Sequence, residues 1–175
     1  MSMRRQKFLL FRVYRFRDAS AYGQLYDHYF VKIRRYIFFK VPRAEDTDEI
    51  TAEVFLRGWE YATSSKVENP GALFYRIARN LVADFYRQRS PAESITGIDV
   101  ASKEDIASEL SDSQEQQELI TLLPKLKDEY RDVLVMKYLD ELSVKEIAAI
   151  LEKTPNNVRV QLHRAKNALK VLANK

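Results

Sequence analysis

Apolar residues recur every three or four positions along almost the whole chain, which is the spacing of one face of an α-helix. Runs in which β-branched and polar residues alternate, as in a half-buried strand, are missing from the sequence. We therefore predict an all-α fold. The predicted helices cover residues 19–40, 45–62, 71–88, 112–122, 125–139, 143–151 and 155–172.

Charge divides the chain into three blocks. Residues 1–90 hold 17 Lys/Arg against 10 Asp/Glu, residues 91–123 hold 1 against 8, and residues 124–175 hold 11 against 7. The acidic block is poor in aromatic residues and lacks helical periodicity up to about Ser111, which is typical of a linker. We predict a basic extension at 1–17, a first small helical domain at 18–90, an acidic linker at 91–111 and a second small helical domain at 112–175.

The composition excludes several kinds of site. The chain has no Cys and two His, which excludes a disulfide framework, a thiolate zinc site and a cysteine nucleophile. His28 and His163 are single residues without a ligand cluster in the sequence, so we predict no metal and no cofactor. The absence of Cys fits a reduced cytoplasmic setting. No stretch approaches the roughly 18 uncharged apolar residues of a membrane-spanning helix, so we expect a cytoplasmic protein that is soluble or at most peripheral.

The second domain carries the pattern of a helix-turn-helix. Ser143 is followed three residues later by Glu146, which is the capping-box spacing at a helix start. Thr154 and Pro155 then supply the N-cap and first-turn proline of a second helix. The apolar stripe of that second helix comprises Val158, Leu162, Ala165, Leu169 and Leu172.

The opposite face of this second helix is short of acidic residues. It presents Asn156, Val160, His163, Arg164 and Asn167, with Arg159 and Lys170 at its flank. Asn and Arg make bidentate contacts with adenine and guanine edges, and an exposed Val touches a thymine methyl group. The pattern favours reading of the DNA major groove, and a solvated face of an ordinary helical hairpin is the alternative.

The helix predicted at 71–88 offers a different surface. Its predicted buried stripe comprises Leu73, Phe74, Ile77, Leu81 and Phe85. Tyr75, Arg76, Arg79, Tyr86 and Arg87 share the other side. Such a surface suits single-stranded nucleic acid, because Arg neutralises phosphate and aromatic rings stack on unpaired bases. A solvated basic face with half-buried tyrosines is the alternative.

Three segments, in this order, resemble the extracytoplasmic-function (ECF) class of bacterial sigma factors. They are 53–59 (EVFLRGW), 74–87 (FYRIARNLVADFYR) and 158–166 (VRVQLHRAK). The resemblance covers about residues 18–89 and 112–172. It implies a sigma-two domain and a sigma-four domain that bind core RNA polymerase and together direct it to promoters. An anti-sigma protein is a further partner that it implies, and a small-molecule substrate is not expected.

The resemblance also assigns residues to three surfaces. The clamp face, which would contact core polymerase, comprises Asp48, Glu49, Glu53 and Arg57. The strand face, which would hold the single-stranded minus-ten element together with the loop 61–70, comprises Arg76, Arg79 and Asn80, which the resemblance assigns, and Tyr75, Tyr86 and Arg87, which the Tyr/Arg pattern of this helix adds. The reading face, which would contact the duplex minus-thirty-five element, comprises Asn156, Asn157, Arg159, Val160, His163, Arg164 and Lys166.

Residues 4–17 are not explained by the resemblance. They hold six basic residues and no acidic one, interleaved with seven large apolar side chains. We predict an amphipathic helix that packs on the first domain, because large apolar side chains are costly to leave in water while basic groups can snorkel outward. An arm that contacts polymerase, a membrane or nucleic acid is the alternative.

Two other functions are weighed against a sigma factor. A stand-alone helix-turn-helix regulator explains the second domain but leaves the Tyr/Arg helix without a role. A helical nuclease would use acids such as Asp46, Asp48 and Glu49 with a metal, yet acids in a first turn are equally explained by the helix dipole. The sequence has no Gly-rich phosphate loop or His/Cys cluster, so we expect that the protein is not an enzyme.

Overall fold

The computed structural model describes residues 1–88 and 119–173, and the chain divides into two compact units, Met1–Ile98 and Asp99–Lys175. All regular structure in the described ranges is helical, which confirms the all-α prediction. The helices are α1 (Met3–Phe16), α2 (Ala19–Phe38), α3 (Ala44–Ser64), α4 (Pro70–Gln88), α5 (Asp128–Leu134), α6 (Val144–Leu151) and α7 (Pro155–Ala173). The predicted linker at 91–111 and most of the helix predicted at 112–122 lie outside the described residues.

The core of the first unit is a set of aromatic rings between α2, α3 and α4. The ring of Phe74 lies with its centroid 5.0 Å from that of Phe55 and 5.4 Å from that of Tyr29. Tyr22 donates a hydrogen bond of 2.5 Å to the backbone oxygen of Phe55. Burial raises the pKa of the Tyr22 hydroxyl, because the phenolate would lose its hydration. Large rings from all three helices thus meet in the core of the first unit.

Helix α1 packs on α2 and α3, so the packing predicted for residues 4–17 is confirmed. Leu9, Leu10 and Val13 are buried, and buried Gln6 accepts a 2.9 Å hydrogen bond from the Tyr29 hydroxyl. The other four large apolar residues of this segment are exposed; they are Phe8, Phe11, Tyr14 and Phe16. A helix that packs through one side buries only one stripe of its surface. Seven large apolar residues among fourteen are more than one stripe can bury, so some of them remain exposed.

The junction between α1 and α2 is held by Asp18. Its carboxylate accepts a 2.9 Å hydrogen bond from the backbone N–H of Ala21 and caps α2, and it forms a 2.5 Å ion pair with Arg12 of α1. The hydrogen bond from Ala21 lowers the pKa of the Asp18 carboxyl, and Arg12 lowers it further. One side chain therefore fixes both the start of α2 and the position of α1.

The second unit departs from the prediction of one helix at 125–139. A 3₁₀ turn covers Leu123–Lys125, the backbone is extended at Leu126 and Lys127, and α5 begins at Asp128. A π-helical turn at Val135–Leu139 then ends the element. The extended residues let the Leu126 side chain enter the core. The prediction of a continuous helix was wrong here because burial of that side chain outweighs helix propensity.

Candidate nucleic-acid interfaces

The helix-turn-helix of the second unit is built from local caps. Ser143 accepts a 3.3 Å hydrogen bond from the Glu146 backbone N–H, and Glu146 accepts one of 2.8 Å from the Ser143 backbone N–H. Helix α6 ends at Leu151, and the next residue, Glu152, is in the left-handed conformation with φ 55°. Thr154 then accepts a 3.2 Å hydrogen bond from the Asn157 backbone N–H at the start of α7. Both helix starts predicted from the sequence are confirmed.

Helix α7 is seated against α5 and α6 by its apolar stripe and by one buried amide. Val158, Leu162 and Ala165 are buried as predicted. Gln161 is also buried; it donates a 2.6 Å hydrogen bond to the Glu129 backbone oxygen and accepts one of 2.8 Å from Lys153. These bonds tie α7 to the start of α5 and to the turn before α7. The sequence analysis missed Gln161, although a polar residue inside an apolar stripe was a usable signal.

Because α7 packs on α5 and α6 through its apolar stripe, its reading face is exposed to solvent. All seven of its side chains are exposed, and the sequence of α7 contains no acidic residue. His163 and Asn167 are linked side chain to side chain at 3.2 Å. The ammonium group of Lys166 lies 5.2 Å from the centroid of the Tyr138 ring. The face therefore offers donors and acceptors for base edges together with cations for phosphate.

The prediction for the strand face was wrong at Tyr75. Its side chain is 0% exposed and packs edge-on against Tyr36 of α2, with the ring centroids 5.3 Å apart. Helix α4 packs on both α2 and α3, so its buried arc is wider than a single stripe. A residue at the edge of that stripe is covered by α2 and cannot stack on a base.

The exposed part of the strand face is centred on Arg76 and Asn80. The Arg76 guanidinium lies 6.0 Å from the centroid of the Tyr61 ring, and Tyr61 is 44% exposed. Tyr61 therefore places an accessible aromatic ring and a cation side by side, as single-strand binding requires. The sequence analysis included Tyr61 in the loop 61–70 without naming it as a stacking residue, because its position beside α4 depends on how α3 and α4 pack.

The other members of the strand face lie toward the end of α4 and differ in their contacts and exposure. The Tyr86 hydroxyl donates a 2.5 Å hydrogen bond to the Lys40 backbone oxygen, and its ring remains partly exposed. Arg87 is exposed and paired with Asp84, and Arg79 is half-buried. The Tyr86 hydrogen bond ties the end of α4 to the chain that follows α2, whereas the Arg87–Asp84 pair lies within α4 itself.

The loop beside the strand face is shorter than predicted. Helix α3 extends to Ser64, so residues 61–64 are helical and the connection to α4 covers 65–69. Asn69 accepts a 3.0 Å hydrogen bond from the Ala72 backbone N–H. A Cβ on Gly71 would lie 3.1 Å from the Tyr29 hydroxyl, so this glycine lets α4 start close to α2.

The clamp face lies along a groove between α3 and α4. Glu49, Glu53 and Arg57 line the groove, with a 2.6 Å ion pair between the last two. Asp48 lies outside it, in a 2.8 Å ion pair with Arg34. Leu56, which is 55% exposed, adds a large apolar side chain to the groove. The groove therefore combines charges of both signs with an accessible apolar side chain.

Two of the three acids considered for a nuclease are engaged in other contacts. Asp46 is buried and bonded to Arg43, while Asp48 is paired with Arg34. Among the described residues, no three His, Cys, Asp or Glu side chains are grouped so that they could hold a metal ion. Within the same residues, no helix is both long enough and apolar enough to cross a membrane.

Comparison with known families gives two matches. Residues 25–91 match the family model "Sigma-70 region 2", and residues 116–169 match "Sigma-70, region 4". The first match contains the clamp face and the strand face, and the second contains the reading face.

Comparison with individual proteins finds similarity to bacterial RNA polymerase sigma factors. The chain is 30% identical over 171 residues to the ECF RNA polymerase sigma factor SigW of Bacillus subtilis (strain 168), covering 87% of this chain and 89% of SigW. It is 27% identical to the RNA polymerase sigma factor YlaC of the same strain, covering 88% and 92%. CnrH, solved in complex with the cytosolic domain of CnrY, has the same fold at 21% identity, with a TM-score of 0.69 and 97% of both chains covered.

Proposed function

Because the chain belongs to the ECF family of RNA polymerase sigma factors, as its 30% identity to SigW over most of both chains shows, we propose that its surfaces divide promoter recognition between them. Promoter recognition at transcription initiation is the function of the family. The reading face would contact the duplex upstream element, and the strand face would hold the unpaired strand. Core polymerase would fix the distance between the two.

The reading face supports the duplex role. Its seven side chains are exposed on a helix without acidic residues, so phosphate contacts and base contacts are available on one surface. Arg159 and Asn156 are the residues suited to bidentate contacts with guanine and adenine. This exposed, acid-free face is the observation that carries the proposal.

The single-strand role falls to the strand face without Tyr75, joined by Tyr61. Arg76 beside the Tyr61 ring combines a phosphate partner with a stacking platform. Neither surface needs high affinity by itself, because tethering both to one polymerase raises the effective concentration of each site. Isolated protein should therefore bind promoter DNA weakly.

The clamp face is the proposed contact with core polymerase. Glu49, Glu53 and Arg57 would pair with charges of the partner, and Leu56 would be buried at the centre. The anti-sigma protein that the family resemblance implies would compete with polymerase if it covered the same groove. Exclusion of polymerase would then hold the protein inactive.

We propose that the protein acts in the cytoplasm together with promoter DNA and core polymerase, and that it is not itself an enzyme. The test is transcription in vitro with core polymerase on a library of genomic fragments. Initiation at sites that share an upstream element is expected. Tight duplex binding without polymerase, combined with no initiation when polymerase is present, would instead indicate a stand-alone regulator.

A further inference from the structure

The packing of α1 on the first unit leaves the outer side of this helix exposed to solvent. Leu9 and Val13 belong to its buried stripe. At about 100° per residue, Phe8 and Phe11 lie on the opposite side of the helix, where they are 58% and 56% exposed. Phe16, in the last turn, is 67% exposed. More than half of each of these three phenylalanines is therefore accessible to a partner.

Cations accompany the exposed rings, and acidic residues are missing from the helix. Residues 4–17 hold six Lys/Arg and no Asp/Glu. Arg4 and Arg15 are exposed and share the outer side of α1 with the rings; they lie about 16 Å apart along the helix axis. In the part of the chain that the structure describes, neither Arg4 nor Lys7 takes part in an ion pair. The outer side of α1 is therefore complementary to an anionic surface.

The rings form an apolar ridge and are poorly arranged for stacking. The Arg12 guanidinium lies 5.9 Å from the centroid of the Phe8 ring, and the Arg15 guanidinium lies 6.0 Å from that of Phe16. The rings of Phe11 and Phe16 meet edge to face, with their centroids 6.0 Å apart. Neighbours on the same helix thus partly cover the rings, which hinders parallel stacking of a nucleic-acid base. A lipid surface requires only apolar area with cations beside it.

We propose that the outer side of α1 binds an anionic lipid surface. Phe8, Phe11 and Phe16 would enter the boundary between head groups and acyl chains, and the arginines beside them would pair with head-group phosphates. Basic helices that carry aromatic residues lie in the membrane interface in this way. This role goes beyond promoter recognition and does not depend on it.

The test is flotation of the full chain with vesicles of phosphatidylcholine alone, and of phosphatidylcholine mixed with anionic phosphatidylglycerol. We expect the wild type to float with the mixed vesicles only, and less at high salt, which screens exposed charges. Phe8→Ala/Phe16→Ala keeps every charge. It should weaken binding roughly 10- to 150-fold, because the exposed parts of the two rings together equal about one phenylalanine side chain.

A second variant and its control separate local charge from total charge. Arg4→Gln/Arg15→Gln should weaken binding roughly 30-fold, since each cation near an anionic surface contributes about 1 kcal/mol. The matched control is Lys125→Gln/Lys127→Gln, which removes the same charge from exposed positions of the second unit and should bind vesicles like the wild type. Every substituted side chain is exposed, so all variants should keep the wild-type unfolding midpoint in urea.

Several results would overturn the proposal. Absence of flotation, or equal flotation with neutral and anionic vesicles, is one of them. Equal vesicle binding by the wild type and Phe8→Ala/Phe16→Ala is another, since the rings would then stay in water. Equal losses for the Arg4/Arg15 variant and its control would assign the attraction to total charge. Normal flotation of Phe8→Ala/Phe16→Ala with weaker promoter binding of its holoenzyme would assign the outer side of α1 to nucleic acid.

Discussion

A methyl group on Gly58 would lie 2.6 Å from Cε1 of Phe74 and 2.8 Å from the Tyr22 hydroxyl. Both distances are shorter than van der Waals contact, so only glycine allows α3 to approach α4 and α2 this closely. Gly58 lies in the same helix as the clamp face. The segment 53–59 therefore carries a packing constraint in addition to the residues proposed to contact polymerase.

We predict that Gly58→Ala and Gly23→Ala change stability in opposite directions. Gly58→Ala should destabilise the first unit by about 1–3 kcal/mol through overpacking. Gly23 is also helical, but a Cβ there would meet nothing within 4 Å, so Gly23→Ala should stabilise by about 0.5–1 kcal/mol. Urea unfolding followed by fluorescence of Trp59, the single tryptophan, reports on this unit. Changes of the same sign would show that the close approach is not rigid.

The packing of α1 predicts a contrast between its two faces. Leu9→Ala removes a buried side chain and should cost about 2–5 kcal/mol. Phe8→Ala removes a larger side chain that is 58% exposed, and it should stay within about 0.5 kcal/mol of the wild type. The same unfolding experiment measures both. A wild-type unfolding midpoint for Leu9→Ala would mean that α1 is not part of the folded unit in solution.

On the reading face, Arg159→Ala should weaken transcription from promoters with the cognate upstream element by roughly 5- to 150-fold, corresponding to about 1–3 kcal/mol for a lost bidentate base contact. Affinity for core polymerase should not change. Lys125→Ala removes an exposed charge elsewhere in the second unit and serves as the control. Equal loss on cognate and scrambled upstream elements would show that Arg159 contacts phosphate only.

Two variants test whether Tyr61, and not Tyr75, supplies the aromatic ring of the strand face. Tyr61→Ala removes an accessible ring and should weaken capture of the unpaired strand by about 1–3 kcal/mol. Tyr75→Phe keeps a buried ring in place and should leave capture unchanged. Binding of holoenzyme to a pre-melted promoter compares the two. If Tyr75→Phe were the more defective variant, Tyr75 would have to reach the strand after all.

Local signals made much of the fold predictable. The helix-turn-helix follows from a capping box at Ser143 and a cap at Thr154, each of which needs only neighbouring residues to act. Arg159 and His163 face solvent because helical periodicity places them away from Val158 and Leu162, which are buried. Periodicity and caps act over one or two turns, so a sequence displays them directly.

The features that the sequence did not reveal depend on tertiary packing. Tyr75 lies at the edge of the buried stripe of α4. Packing against α3 alone would leave it exposed, but α2 covers it. Tyr61 joins Arg76 only through the packing of α3 on α4. The extended residue Lys127 interrupts a strongly periodic segment so that Leu126 reaches the core. None of these follows from spacing along one helix.

Permanganate footprinting of one promoter tests the division of recognition between the two units most directly. Three holoenzymes are compared, carrying the wild type, Arg159→Ala, and Arg76→Ala with Arg79→Ala. Reactive thymines should reappear for Arg159→Ala when its holoenzyme concentration is raised, because duplex binding alone is weakened. They should stay absent for the double variant at any concentration, because its defect lies in holding the unpaired strand, a step that comes after duplex binding. Normal melting by the double variant, or a melting defect of Arg159→Ala that concentration does not relieve, would contradict the account.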